Sequence, residues 1–143
     1  MTEHNAILLS GPWFEDFHVG LQFDAPAITL TEGHASLHQA LFGDRLRLPL
    51  DRHASARITS VEAPLAHPLL VINVAIGQST WASQRVKANL FYRGLLLQRP
   101  VFIGDTLYTR TRVVALRQNR VQEGRAATGI VALEMTTTNQ RGE

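Results

Sequence analysis

Residues 105–116 read DTLYTRTRVVAL, and outward-looking Tyr and Arg alternate there with Leu, Thr and Val. A period of two puts alternate side chains on opposite faces of a strand. Residues 86–98 (VKANLFYRGLLLQ) and 129–138 (GIVALEMTTT) are also rich in strand formers, and both are predicted as strands. The polar stretch 119–124 is predicted as the turn between the last two. Nearer the N-terminus, residues 21–30 (LQFDAPAITL) are mostly extended, and Pro26 implies an edge or a kink. Residues 11–20 (GPWFEDFHVG) look like an ordered loop leading into that strand.

The pattern changes at Thr31, which is a good N-cap. Leu37, Leu41 and Phe42 follow at helical spacing, and Gly43 is a plausible stop. Residues 44–50 are predicted as a loop, and residues 51–57 as one more helical turn. Pro64 and Pro68 bracket the start of LLVINVAIGQSTWASQ, which is apolar on nearly every side from Leu69 to Ile76. Such a helix is expected to be buried on every side, wrapped by a sheet. Gly104-Asp105 lies between two strand-like runs. Gly supplies a positive φ and Asp bonds the backbone two residues on, so a strand reversal is expected there. Periodicity by itself predicts an α+β fold with a buried helix. The 143 residues are expected to form one domain, 1–143, without repeats or linkers.

Composition narrows the function classes. Apolar residues make up 45% and charged residues 18%, an apolar surplus that a subunit interface would absorb. The absence of cysteine removes disulfides, thiolate chemistry and Cys-based zinc sites. The start of the chain does not read as a signal peptide, and no run reaches membrane-spanning length, so a cytoplasmic protein is expected. Lys87 is the single lysine among 14 basic residues. The arginines are scattered, which argues against a nucleic-acid stripe and suits pairing with carboxylates or a phosphorylated small molecule.

Several polar residues stand out. His34 and His38 share a helix face at i and i+4. That spacing leaves open a metal pair, a ligand-facing role or ordinary packing; no metal site is expected, because the rest of a metallohydrolase pattern is missing. Asn73, inside the apolar run, is either a structural hydrogen-bonder or a ligand contact. Gln78 and Ser79 are expected to emerge into solvent at the helix end.

Four segments together carry a family resemblance. WFEDFHVG, ITLTEGHASLHQALFGD, LAHPLLVINVAIG and PVFIGDTL, spread over residues 12–118, resemble in order the segments of the MaoC-like dehydratases. These hot-dog proteins include the (R)-specific enoyl-CoA hydratases, and the similarity looks closest to the N-terminal half of mesaconyl-CoA hydratase-like members. The resemblance implies an antiparallel sheet wrapped around a central apolar helix. It also implies hydration or dehydration of an acyl-CoA thioester, with no cofactor beyond the CoA of the substrate.

Gly43-Asp44 matches the family's Gly-Asp, which makes Asp44 the acid/base candidate. Leu48-Pro49-Leu50-Asp51 stands where the family has Asn-Pro-aliphatic-His. The catalytic dyad is therefore degenerate, with Asp51 or His53 as substitutes for the missing His. His67-Pro68 replaces His-Gly, and proline has no N–H to offer a thioester carbonyl. His67 and Asn73 are carried over as substrate contacts, and Arg45 and Arg47 as candidates for the CoA phosphates. The chain is expected to form a homodimer, a higher oligomer or a heteromer with a second hot-dog chain, with no nucleic acid and no membrane as partner. Two further readings follow from the same resemblance: a non-catalytic subunit that completes a heteromeric hydratase, and an acyl-CoA thioesterase.

Overall fold

The structure, a computed structural model, describes residues 10–120, 123–124 and 128–143. Part of the predicted 119–124 turn and the first nine residues lie outside them. The long strand predicted from alternation is β3, Thr106–Gln118. Leu107, Thr109, Thr111 and Val113 point inward, and Tyr108, Arg110 and Arg112 outward. β4 (Gly129–Thr138) pairs with it antiparallel from Tyr108 to Gln118, with a register shift between Val113 and Ala115. The extended segment before Thr31 is divided as Pro26 implied: β1 (Gln22–Asp24) pairs with Arg110–Arg112, and β2 (Ile28–Thr29) with Thr106 and Leu107. All four strands belong to one antiparallel sheet.

Residues 86–98 do not form the predicted strand. β3 is already bonded by β4 on one side and by β1 and β2 along its first half. The segment joins neither strand, and strand propensity without ladder pairing yields no strand. Leu90, Phe91, Leu95 and Leu96 are left between 57% and 74% exposed.

Four α-helices cover the space between β2 and β3. α1 (Glu32–Phe42) is capped by Thr31, whose hydroxyl accepts from the His34 N–H, and it ends at Gly43 in the left-handed region. The expected apolar stripe of α1 faces outward: Leu37, Leu41 and Phe42 are exposed, and His38 is the buried residue. The predicted 44–50 loop contains a short helix, α2 (Arg47–Leu50), and the next turn extends into α3 (Arg52–Thr59). An Arg52–Glu32 ion pair ties α3 back to α1.

α4 (Pro68–Gln78) is the apolar helix, followed by a 3-10 turn at Thr80–Ser83. Its inner face packs Val71 and Val74 against Leu30, Ala66 and Leu107, with Ile28, Val101 and Ile103 around them. The expectation of burial on every side does not hold. Leu69, Asn73 and Gly77, one turn apart, form an exposed stripe, because the sheet meets only one face of the helix. Gln78 does not emerge into solvent. Its Oε1 accepts from Thr109 Oγ1 at 2.6 Å, and its Nε2 donates to the Pro26 and Leu107 carbonyls. It thus fastens the helix end to the bend between β1 and β2 and to β3.

Gly104-Asp105 makes the expected reversal, with Gly104 at φ 101°. The carboxylate bonds backward, however, accepting from the Phe102 N–H at 2.8 Å. Its other oxygen accepts from Gln140 Nε2 at 2.8 Å. No helix among the described residues is long and apolar enough to cross a membrane.

Candidate active site

The site forms where the end of α1 meets the start of α4. Gly43, at φ 60°, turns the chain out of α1 in a conformation that a Cβ would strain. Asp44 follows, and Gln39 Nε2 holds its carbonyl at 2.7 Å. The carboxylate is then aimed by two donors. Oδ1 accepts from the Leu46 N–H at 2.7 Å, and Oδ2 is bonded to His67 Nε2.

His67 is the N-cap of α4, and Pro68 fills the first helical position, where its missing N–H matters least to the helix. The Leu69 N–H donates to His67 Nδ1 at 3.1 Å. A ring nitrogen that accepts carries no proton, so the proton of neutral His67 sits on Nε2 and points at Asp44. The side chains of His67 and Asp44 are 12% and 22% exposed. The pair is shielded yet still reachable from outside.

His38 completes the cluster from α1. Its ring stacks on His67 with centroids 4.7 Å apart and packs against Phe42 at 4.8 Å. Burial, helped by the neighbouring His67, lowers its pKa from the ordinary histidine value, and only Asp44 opposes this. His38 is therefore neutral at pH 7. A cavity of about 20 Å³ lies among His38, Gln39, Asp44, Leu46, Leu65 and His67. A much larger open groove, about 670 Å³, lies at the opposite end of α4 and is lined by Pro26, Ile28, Val74, Gly77 and Trp81.

Of the residues singled out in the sequence, Asp44, His67 and His38 come together. Asp51, His53, Arg45, Arg47, Asn73 and His34 do not line their cavity. Asp51 is the N-cap of α3: its Oδ1 accepts from the Ala54 N–H at 2.8 Å. That bond is the main reason its carboxyl sits below the usual range, with the charges of Arg47, Arg57 and His53 adding to it. His53, Arg45 and Arg47 are exposed around this cap, and Arg45 bonds only the Asp44 carbonyl, at 3.2 Å. Asn73 lies on the open stripe of α4, which removes the case for a buried structural hydrogen bond. His34 is spent on the Thr31 cap. Among the described residues no group of three or more His, Cys, Asp or Glu is placed to hold a metal.

The Asp44–His67 bond joins two motifs that sequence treated separately. The available signal was His67 itself. A polar ring just before a Pro-started helix is placed to cap it, and its second nitrogen then needs an acceptor.

No family model matches the chain. A curated relative is β-methylmalyl-CoA dehydratase of Chloroflexus aurantiacus, 34% identical over 135 residues, which are 93% of this chain and 37% of the relative. Among solved structures, a conserved hypothetical protein of Mycobacterium tuberculosis described as having a double hot-dog fold is 54% identical. Its TM-score is 0.91, and the match covers 96% of this chain and 42% of that one. A putative MaoC domain protein dehydratase of Chloroflexus aurantiacus is 32% identical with a TM-score of 0.85, over 96% of this chain and 38% of that one. The chain thus spans well under half the length of these three proteins. An antiparallel sheet against one apolar helix is what the four sequence segments implied, and the chain is accordingly a hot-dog unit related to the MaoC-like dehydratases.

Proposed function

We propose that the chain is one hot-dog unit of an acyl-CoA hydratase or dehydratase, with Asp44 as its acid/base group and His67 as the residue that orients it. The observation that carries this reading is the bond from His67 Nε2 to an Asp44 carboxylate that remains partly open. A carboxylate has about four acceptor positions, and Leu46 and His67 use two. The remaining ones can receive a proton from water.

Hydration then runs in balance. Asp44 takes a proton from water, the water oxygen bonds to Cβ of the enoyl thioester, and the π pair moves toward the thioester oxygen. The protonated Asp44 returns the proton to Cα. Dehydration is the same path reversed. Water addition changes no net oxidation state, so the thioester's own CoA is the only cofactor the reading calls for. The geometry supports His67 over Asp51 or His53 as the partner of Asp44, since Asp51 is committed to its cap.

A thioester oxygen that gains charge needs donors. At the start of α4 the Leu69 N–H is taken by His67 and Pro68 has none. Of the N–H groups that a helix start leaves outside its own ladder, only those of His67 and Leu70 remain among the described residues. This favours a second reading, in which the unit forms one wall of an acyl-CoA site and another unit supplies the chemistry. The partner in either case is a second hot-dog unit, within the same polypeptide or separate. The exposed apolar run from Leu90 to Leu97 and the open α4 stripe are the surfaces such a unit would cover. A cytoplasmic location goes with this reading.

The deciding experiment follows the absorbance of the conjugated thioester when the purified chain meets mesaconyl-type and crotonyl-type CoA esters. The chain is assayed alone and with a second hot-dog unit. Turnover abolished by Asp44→Asn supports the first reading. Turnover that appears only with the second unit and survives Asp44→Asn supports the wall.

A further inference from the structure

His38 is the buried polar side chain that the proposed reaction leaves without a task. It is 6% exposed, and its Nε2 has no hydrogen-bond partner among the described residues. Buried polar atoms in folded proteins are almost always paired, with protein or with ordered water. The surroundings of His38 point to the latter. Its ring lines the same cavity as Asp44 and His67, and that cavity measures about 20 Å³. One ordered water needs about 10–15 Å³ and two or more polar partners. Asp44, Gln39 and His67 are the other polar residues of the cavity lining, and Leu46, Leu50 and Leu65 are among the apolar ones.

We propose that this cavity is a water site, that His38 Nε2 and the Asp44 carboxylate are its two hydrogen-bonding walls, and that the water held there is the one added to, or released from, the thioester substrate. The last part rests on the proposed hydratase reading; the water site does not. Stacking on His67 fixes the plane of the His38 ring. A neutral ring offers Nε2 either as a donor or as an acceptor, and water satisfies both. His38 stays neutral throughout: Asp44 takes the water proton and later passes it to Cα, while His38 holds the oxygen in line with Cβ. It is a positioning residue, and its role depends on nitrogen rather than on ring volume.

The experiment compares wild type, His38→Phe and His38→Gln by high-resolution crystallography, by thermal melting and by steady-state kinetics. In wild type we expect one ordered water about 3 Å from both His38 Nε2 and the Asp44 carboxylate. Phe keeps the stacked ring and removes the nitrogen. It should empty the site and lower kcat about tenfold to hundredfold at unchanged KM. Gln, which restores a polar atom, should recover the water and most of kcat. Wild-type density without a water on Nε2, or a water equally occupied in His38→Phe, overturns the water site. A lost water with unchanged kcat overturns its part in the reaction. If wild type binds the water and turns over no acyl-CoA ester, with or without a second unit, the hydratase reading falls and the site stands. Should His38→Phe fail to fold, the wild-type density and the Gln variant decide.

Discussion

The chain contains two Gly-Asp turns, and they do different work. At Gly43-Asp44 and at Gly104-Asp105 the glycine has a positive φ, 60° and 101°, and the aspartate accepts a backbone N–H within three residues. The remaining partners separate them. Asp105 is 5% exposed, and its second oxygen accepts from Gln140, whose own Oε1 accepts from the Thr106 N–H. Its acceptor capacity goes into tying the chain's end to the start of β3. Asp44 is more open, and its second oxygen meets a histidine whose tautomer is set by a helix start. The dipeptide gives a turn and a carboxylate in both places. What arrives opposite the carboxylate separates one spent on structure from one left partly open.

Exchanging the charge in each turn should therefore break different properties. The largest effect is expected from Asp44→Asn, which keeps shape and hydrogen bonding to Leu46 but removes the base. Turnover in the hydratase assay should fall about 10²–10⁴-fold, with a smaller drop in melting temperature from the lost His67 bond. His67→Phe, which frees Asp44 from its orienting donor and uncaps Leu69, should lower kcat less. It should also destabilise α4 by about 1 kcal/mol, the usual loss for an N-cap. Asp105→Ala should do the reverse of Asp44→Asn. It leaves the Phe102 N–H and Gln140 without their acceptor, and hydrogen bonds to a charged group contribute about 1.5–3 kcal/mol each. Denaturant unfolding should show a large stability loss, with kcat per folded molecule retained. A large kcat loss in Asp105→Ala with intact stability would erase the distinction between the turns.

How far these differences were legible follows from where each contact lies in the sequence. The turns themselves were readable, because Gly at positive φ and Asp bonding its own backbone are local matters. So were β3, by alternation, the break at Pro26, and the start of α4 at Pro68. The failures are all questions of what lies opposite. The run 86–98 has strand propensity but joins no edge of the sheet. Leu69 and Asn73 face away from the sheet although their helix is apolar all round. His38 points inward while Leu37 and Leu41, its neighbours on α1, point out. The Asp44–His67 bond spans 23 positions, and nothing local to either residue names the other. The resemblance to MaoC-like proteins singled out Asp44, and the missing family histidine drew attention to Asp51 and His53. In the structure Asp51 caps α3 and His53 lies on its exposed side.

The smallest effect expected is a pH slope, and it also separates the turns. The Asp44 turn is packed against two histidines, whereas the polar partners of Asp105 are the Phe102 N–H, Gln140 and Arg141. His38 has a folded-state pKa below its ordinary value of 6.5, first because it is buried and then because of the charge of His67, with Asp44 working against the shift. The unfolded chain therefore binds more protons than the folded one between that value and the folded pKa. Stability falls as pH falls through that window and is fully present above it. The depressed carboxyls of Asp24, Asp51 and Glu143 start from 3.8, 3.8 and 4.5, so their contributions are lost at lower pH. Urea midpoints measured from pH 7.5 downward should decline below about pH 6.5 before the carboxylates titrate. His38→Phe should flatten that first decline, and Asp105→Asn should leave it in place. A slope that persists in His38→Phe would assign the titration to a group other than His38.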